Sequence, residues 1–305
     1  RGRIIKFNPK LVNSNRYITL LGDGSLGGKG RGLAFLSNFI ENVYLKKLIP
    51  DLHVAIPKTA VIGMNEFDNF LENNNLYDVI FEDKEYNHVL EAFRTARLSE
   101  QLRNNLRKYL QVMTKPLAVR SSGLFEDSLN QPFAGVYSTY LLPNNHPDIE
   151  RRLEDVENAI KLVFASIYSP ESRAYFNAID YMIEEEKMAV IIQEVIGNEH
   201  NGRYYPEISG VAQSYNFYPF SYIQPEDGFA VTAIGLGAYV VGEKTHRFSP
   251  AYPKLQLAST QDKIKASQRY FYGVNMLAQD YDLYRDGKRR GKRCHQSIRH
   301  LRSRA

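Results

Sequence analysis

A single cysteine, Cys294, occurs in 305 residues, which excludes an intramolecular disulfide and suits a reducing, cytoplasmic setting. Long apolar runs are missing too. Nowhere do about 18 apolar residues follow one another, so no membrane-spanning helix is expected. The opening stretch RGRIIKFNPK has no initiator Met, no apolar h-region and no small-residue cleavage site, and the chain is expected to be a piece of something longer. No internal repeat is present. Acidic residues are scarce in one place: residues 285–305 hold nine Lys/Arg against Asp286 alone. The net charge of +5 and the pI near 9.0 therefore reside in that tail, and residues 1–284 sum to −3. A basic tail attracts phosphate backbones. This one carries no Phe, Tyr or Trp for base stacking and no apolar helical stripe, so it is expected to be disordered or non-native, and nucleic acid is not an expected partner.

What is present is ordinary for a globular chain, with 43% hydrophobic and 24% charged residues and enough length for two lobes. Leu33, Leu36, Ile40 and Val43 predict a helix from Gly30 to about Leu48. Leu102, Leu106, Tyr109, Leu110 and Met113 predict another, capped by Ser99. A short strand over Ile56–Ile62 lies between them, followed by a helix through Phe67, Phe70 and Leu71. Thr114-Lys115-Pro116 marks an expected boundary, because proline disfavours helix in the residue before it. Beyond it, residues 117–121 and 136–142 read as a hairpin, and Ile149, Leu153, Val156, Ile160, Phe164 and Ile167 as a helical face. Met188–Ile192 is an unbroken apolar run, as in a strand covered on both faces, and strands at 208–214 and 229–234 follow. The expected fold class is α+β, with lobes at 1–115 and 116–284 and the tail at 285–305.

Three segments carry potential chemistry. Leu21–Gly32, LGDGSLGGKGRG, is a glycine-rich loop opening a helix. Its backbone N–H groups and helix dipole suit a phosphate, with Lys29 as a mobile cation, yet such loops are as often plain turns. Gly30 follows the lysine where a P-loop needs Ser or Thr, so this is not that motif. The second segment is AVRSSGLFED with PFAGVYSTYL. Arg120, at the end of a buried strand, needs an anion, and that anion is either Glu126 or Asp127 of its own hairpin or a bound phosphate. The third is MAVIIQEVIG, whose strand either presents main-chain groups of Gln193, Glu194 and Val195 to a purine edge or is simply core.

The succession GGKGRGLAFL, IPKTAVI, AVRSSGLFED, PFAGVYSTYL, VIIQEVIG, ISGVAQS and IGLGAYVVG resembles the N-terminal nucleotide-binding domain of the phosphoenolpyruvate synthase / pyruvate phosphate dikinase family, over roughly residues 20–250. The resemblance implies an ATP-grasp-like fold, two lobes with a cleft between them that clamps ATP and Mg²⁺. It implies that Lys29 and Arg120 act on the phosphates from opposite lobes. Gly27, Gly28, Gly135, Ser138 and Thr139 would cover the phosphates, and Gln193, Glu194 and Val195 would line the adenine pocket. The full-length relative would convert ATP, pyruvate and water to phosphoenolpyruvate, AMP and phosphate, using phosphohistidine and pyruvate domains as partners. Dikinases acting on a glucan or an antibiotic, and a non-catalytic nucleotide-binding module, share the same signature.

Two departures from the family pattern stand out. Gly123-Leu124-Phe125 replaces the small residues usual before the acidic pair. No Asp-Ile-Glu strand for the metal follows Gly242, the nearest acidic pair being Asp280 and Asp282, so the metal ligands are unassigned.

Overall fold

The computed structural model describes residues 4–8, 18–43, 49–82, 85–124, 126, 137–219, 221–237, 246–255, 259, 261, 268, 270–277, 283 and 298–302. Two compact units divide the chain, Arg1–Val195 with Gln279–Gln296, and Ile196–Ala278 with Ser297–Ala305. The expected boundary near residue 115 thus falls inside the first unit. The reason is strand pairing, since the strand after Pro116 joins the same sheet as strands from before it.

That sheet has six strands in the spatial order β1 (Ile4–Lys6), β2 (Ile18–Gly22), β3 (Thr59–Ile62), β6 (Met188–Glu194), β4 (Leu117–Gly123), β5 (Thr139–Leu142). β1, β2 and β3 run parallel, and the remaining pairings are antiparallel. β6 lies between β3 and β4, and all seven of its residues are buried, which is why its sequence is an unbroken apolar run. Helices α1 (Gly27–Asn42), α2 (Met64–Asn73), α3 (Tyr77–Glu82), α4 (Tyr86–Thr95), α5 (Glu100–Val112), α6 (Ile149–Ala165) and α7 (Pro170–Ala178) complete the unit.

One face of the sheet bears the main core. Ala60, Ile62, Leu117, Val119, Val190 and Ile192 pack there with the buried sides of α2, α4, α5 and α6. Phe164 of α6 sits 5.1 Å from Phe67 and 5.5 Å from Phe70, ring centre to ring centre, and Phe70 is 5.5 Å from Phe93. Such aromatic contacts add to area burial. The Ser99 Oγ accepts the Leu102 N–H and caps α5, as its position in the sequence predicts.

The opposite face is thinner. Among the described residues, Ile18, Val61, Ala189 and Ile191 cluster with Ala34 of α1 and Met64, with Leu20, Leu26 and Leu33 at the margin. α1 begins at Gly27 rather than Gly30 and buries Gly27, Gly30, Ala34 and Ser37, not the predicted large stripe. Leu36 is exposed, as are Phe35 and Phe39. Small side chains face the sheet because the helix lies close upon it, and close approach leaves no room for leucine.

The second unit is built on two small sheets. β11 (His246–Phe248), β10 (Phe229–Ile234) and β9 (Ile208–Gln213) form one, wholly antiparallel. β13 (Ile298–Arg302), β12 (Tyr270–Asn275), β8 (Arg203–Tyr205) and β7 (Asn198–His200) form the other. Residues 298–302, within the tail expected to be disordered, are therefore a strand paired with β12. No described helix is long and apolar enough to cross a membrane.

Candidate nucleotide site

The glycine-rich loop and the Arg-Ser-Ser strand, almost a hundred residues apart in sequence, are in direct contact. No side chain of its own caps α1, and its first turn carries no acid. Instead the Ser122 Oγ of β4 donates to the Leu26 carbonyl at 2.7 Å and accepts the Gly30 N–H at 3.0 Å. Gly27 makes this seating feasible. Its φ is +69°, and a Cβ there would lie 1.9 Å from the Ser122 carbonyl oxygen. The positive end of the helix dipole and the half-buried Gly28 and Lys29 are thus held against the strand that carries Arg120.

Lys29 forms an ion pair with Glu126, just past the end of β4. Glu126 is buried, and its carboxylate also accepts the Ser121 Oγ–H at 3.1 Å and the Gly123 N–H at 3.1 Å. Gly123, one of the departures noted in the sequence, has a local cause. A Cβ there would lie 2.4 Å from the Glu186 Oε1, which accepts the Leu124 N–H. Burial, with the nearby Glu186 and Glu126 carboxylates, pushes the Tyr137 hydroxyl far above the usual phenol range.

Arg120 does not use Glu126. Its Nη1 donates to the Gln193 Oε1 at 3.4 Å, and among the described residues it makes no ion pair. Gln193 in turn donates from Nε2 to the Thr59 Oγ1 at 3.0 Å, and Thr59 donates to the Pro57 carbonyl at 2.7 Å. Because the Thr59 proton is committed to Pro57, Thr59 can only accept from Gln193, which turns the amide oxygen towards Arg120. Register places Arg120 beside Ile191 on one side and Thr139 on the other, on the face that α1 covers in part. Ser138, next to Thr139, donates its N–H to the Ser166 Oγ at 3.4 Å.

Glu194 is buried against Lys115, whose Nζ lies 2.7 Å from its Oε1. The Glu194 N–H donates to the Lys58 carbonyl at 2.9 Å and the Val195 N–H to the Pro116 carbonyl at 2.8 Å, so both donors are engaged within the sheet region. The predicted residues Lys29, Arg120, Gly27, Gly28, Ser138, Thr139, Gln193, Glu194 and Val195 therefore all fall in the first unit, Lys29 and Arg120 included. Gly135, with Asp127, Asp280 and Asp282, lies outside the described residues. Thr59 and the Glu126 partnership with Lys29 escaped the sequence reading, since both depend on register and helix placement. Among the described residues no group of three or more His, Cys, Asp or Glu is placed to hold a metal ion. No chemical step is derived through a metal ion.

The family model for the pyruvate phosphate dikinase AMP/ATP-binding domain matches residues 23–283. The chain belongs to that family. It is 26% identical over 149 residues, 49% of its length, to the uncharacterized phosphotransferase YvkC of Bacillus subtilis. It is 28% identical over 129 residues, 42% of its length, to the phosphoenolpyruvate synthase of Aeropyrum pernix. The matched segments span 17% and 13% of those two proteins, so this member corresponds to a minor part of each.

Proposed function

We propose that the chain is the ATP-binding portion of a phosphoenolpyruvate synthase-like phosphotransferase. In the whole protein, ATP, pyruvate and water would give phosphoenolpyruvate, AMP and phosphate through a phosphohistidine carrier. Mg²⁺, the two-lobed ATP-grasp-like architecture and the cytoplasmic setting belong to the same proposal. The observation that carries it is the seating of the Lys29 turn of α1 on Ser122, which brings a helix N-terminus and a lysine to the Arg120 strand. Phosphoryl transfer asks little covalent help of a protein and much charge neutralisation and positioning. Lys29 and Arg120 would supply the charge, and N–H groups of Gly27 and Gly28 the helix-end contacts. Gly135, Ser138 and Thr139 would cover the phosphates, and Gln193, Glu194 and Val195 would line the adenine side. With the Glu194 and Val195 N–H groups already engaged, the purine would meet carbonyl oxygens there. Pyruvate is taken as the acceptor from the name of the Aeropyrum enzyme, and a glucan or an antibiotic is the alternative, because the matched segment spans 13% of that enzyme and the nucleotide module is shared. The isolated portion is expected to turn over poorly or not at all.

Thermal melting with ATP and Mg²⁺ tests the reading. Binding to the folded state alone raises the melting temperature. The shift should be lost in Lys29→Ala and in Arg120→Ala. An unshifted melt of the unaltered protein at millimolar ATP would refute it.

A further inference from the structure

We propose that Glu126 is the positioning residue for Lys29, an inference that rests on the nucleotide-site reading above. A buried carboxylate is costly unless its oxygens are met. Those of Glu126 are met by the Ser121 hydroxyl, the Gly123 N–H and the Lys29 ammonium. Two of these three donors belong to β4, so the carboxylate is pinned to the strand and cannot follow the lysine. The lysine follows it instead. A lysine stem is flexible, and without a fixed partner its charge would roam the mouth of α1. Tied to Glu126, the ammonium has a place set by the same strand that carries Arg120, so both cations are referenced to one rigid element. An ammonium has three N–H donors. One serves Glu126, which leaves the others to meet a phosphate without breaking the pair. Asp127, the neighbour in the same acidic pair, lies outside the described residues.

Calorimetric titration with ATP, and separately with AMP, of the unaltered protein, Glu126→Gln and Ser121→Ala tests this. Glu126→Gln keeps the shape and removes the charge, and should weaken ATP binding about tenfold, the worth of one charge-assisted hydrogen bond. AMP, which has no β- or γ-phosphate, should bind within about twofold of the unaltered protein, since misplacing one cation removes contacts to the outer phosphates alone. Ser121→Ala, which loosens the carboxylate without removing it, should shift the ATP-to-AMP ratio the same way by about threefold, and it carries the test should Glu126→Gln fail to fold. A purely structural role would lower the melting temperature and leave that ratio unmoved. An unchanged ratio in either folded variant overturns the inference. So does tighter ATP binding by Glu126→Gln, which would show the carboxylate competing with phosphate. If the unaltered protein fails to bind ATP, the nucleotide-site reading falls and this inference with it. If it binds and only the ratio stays fixed, this inference falls alone.

Discussion

The two faces of the central sheet are made from alternate residues of the same strands and differ in almost everything else. On β4, Leu117 and Val119 point into a core of aromatic and branched residues, while Arg120 and Ser122 occupy the other face. On β6, Val190 and Ile192 share the first face, and Ile191 and Gln193 the second. Several helices bury the first, whereas among the described residues α1, with its small residues, and Met64 at the start of α2 cover part of the second. One face holds the unit together, and the other keeps its polar groups within reach of a ligand. Residues two apart on one strand stay together, and neighbours are separated.

If the division is sound, mutations on the two faces should separate stability from binding. The largest effect is expected from Phe164→Ala in the aromatic cluster. It should cost about 3–5 kcal/mol in denaturant unfolding, the usual toll of emptying a buried aromatic site, while the ATP affinity of the folded fraction stays unchanged. Lost affinity at unaltered stability would erase the distinction between faces. Gly27→Ala, on the α1 face, is smaller in energy and larger in function. Its Cβ would meet the Ser122 carbonyl from a left-handed backbone, which should cost about 1–3 kcal/mol and displace the Lys29 turn. ATP-dependent stabilisation should fall well beyond what the stability loss explains.

The smallest effect lies at the margin, at Glu66 of α2. Burial, with Asp23 nearby, holds its carboxyl above the ordinary value of 4.5, against a hydrogen bond from Ser99. The folded state thus keeps this proton to a higher pH than the unfolded state. Its contribution is fully present below pH 4.5 and is lost as pH rises through the folded value. Denaturant titrations across that window should show a fall in stability that Glu66→Gln flattens, and an unaltered slope would remove Glu66 from the account.

How legible this was from the residues depended on what burial selects. Runs such as Met188–Ile192, and periodic stripes such as Leu153, Val156 and Ile160, announce themselves because large apolar residues are chosen wherever space must be filled. α1 misled for the opposite reason, since its buried residues were picked for smallness and its large ones face outward. The motif residues were recognisable individually, but their partners were not. Whether Glu126 meets Arg120 or Lys29 is decided by where α1 lands on β4, and nothing local encodes that landing. The unit boundary at Val195 was hidden likewise, because a hairpin after a proline looks the same whether it starts a sheet or enters one already there.

Backbone amide NMR of the protein titrated with a non-hydrolysable ATP analogue tests the central claim most directly. The account predicts that the largest shifts cluster at Gly27–Gly30, Ser121–Gly123 and Gln193–Val195, the α1 face and its continuation. Shifts confined to residues 196–278, or none at saturating analogue, would contradict it.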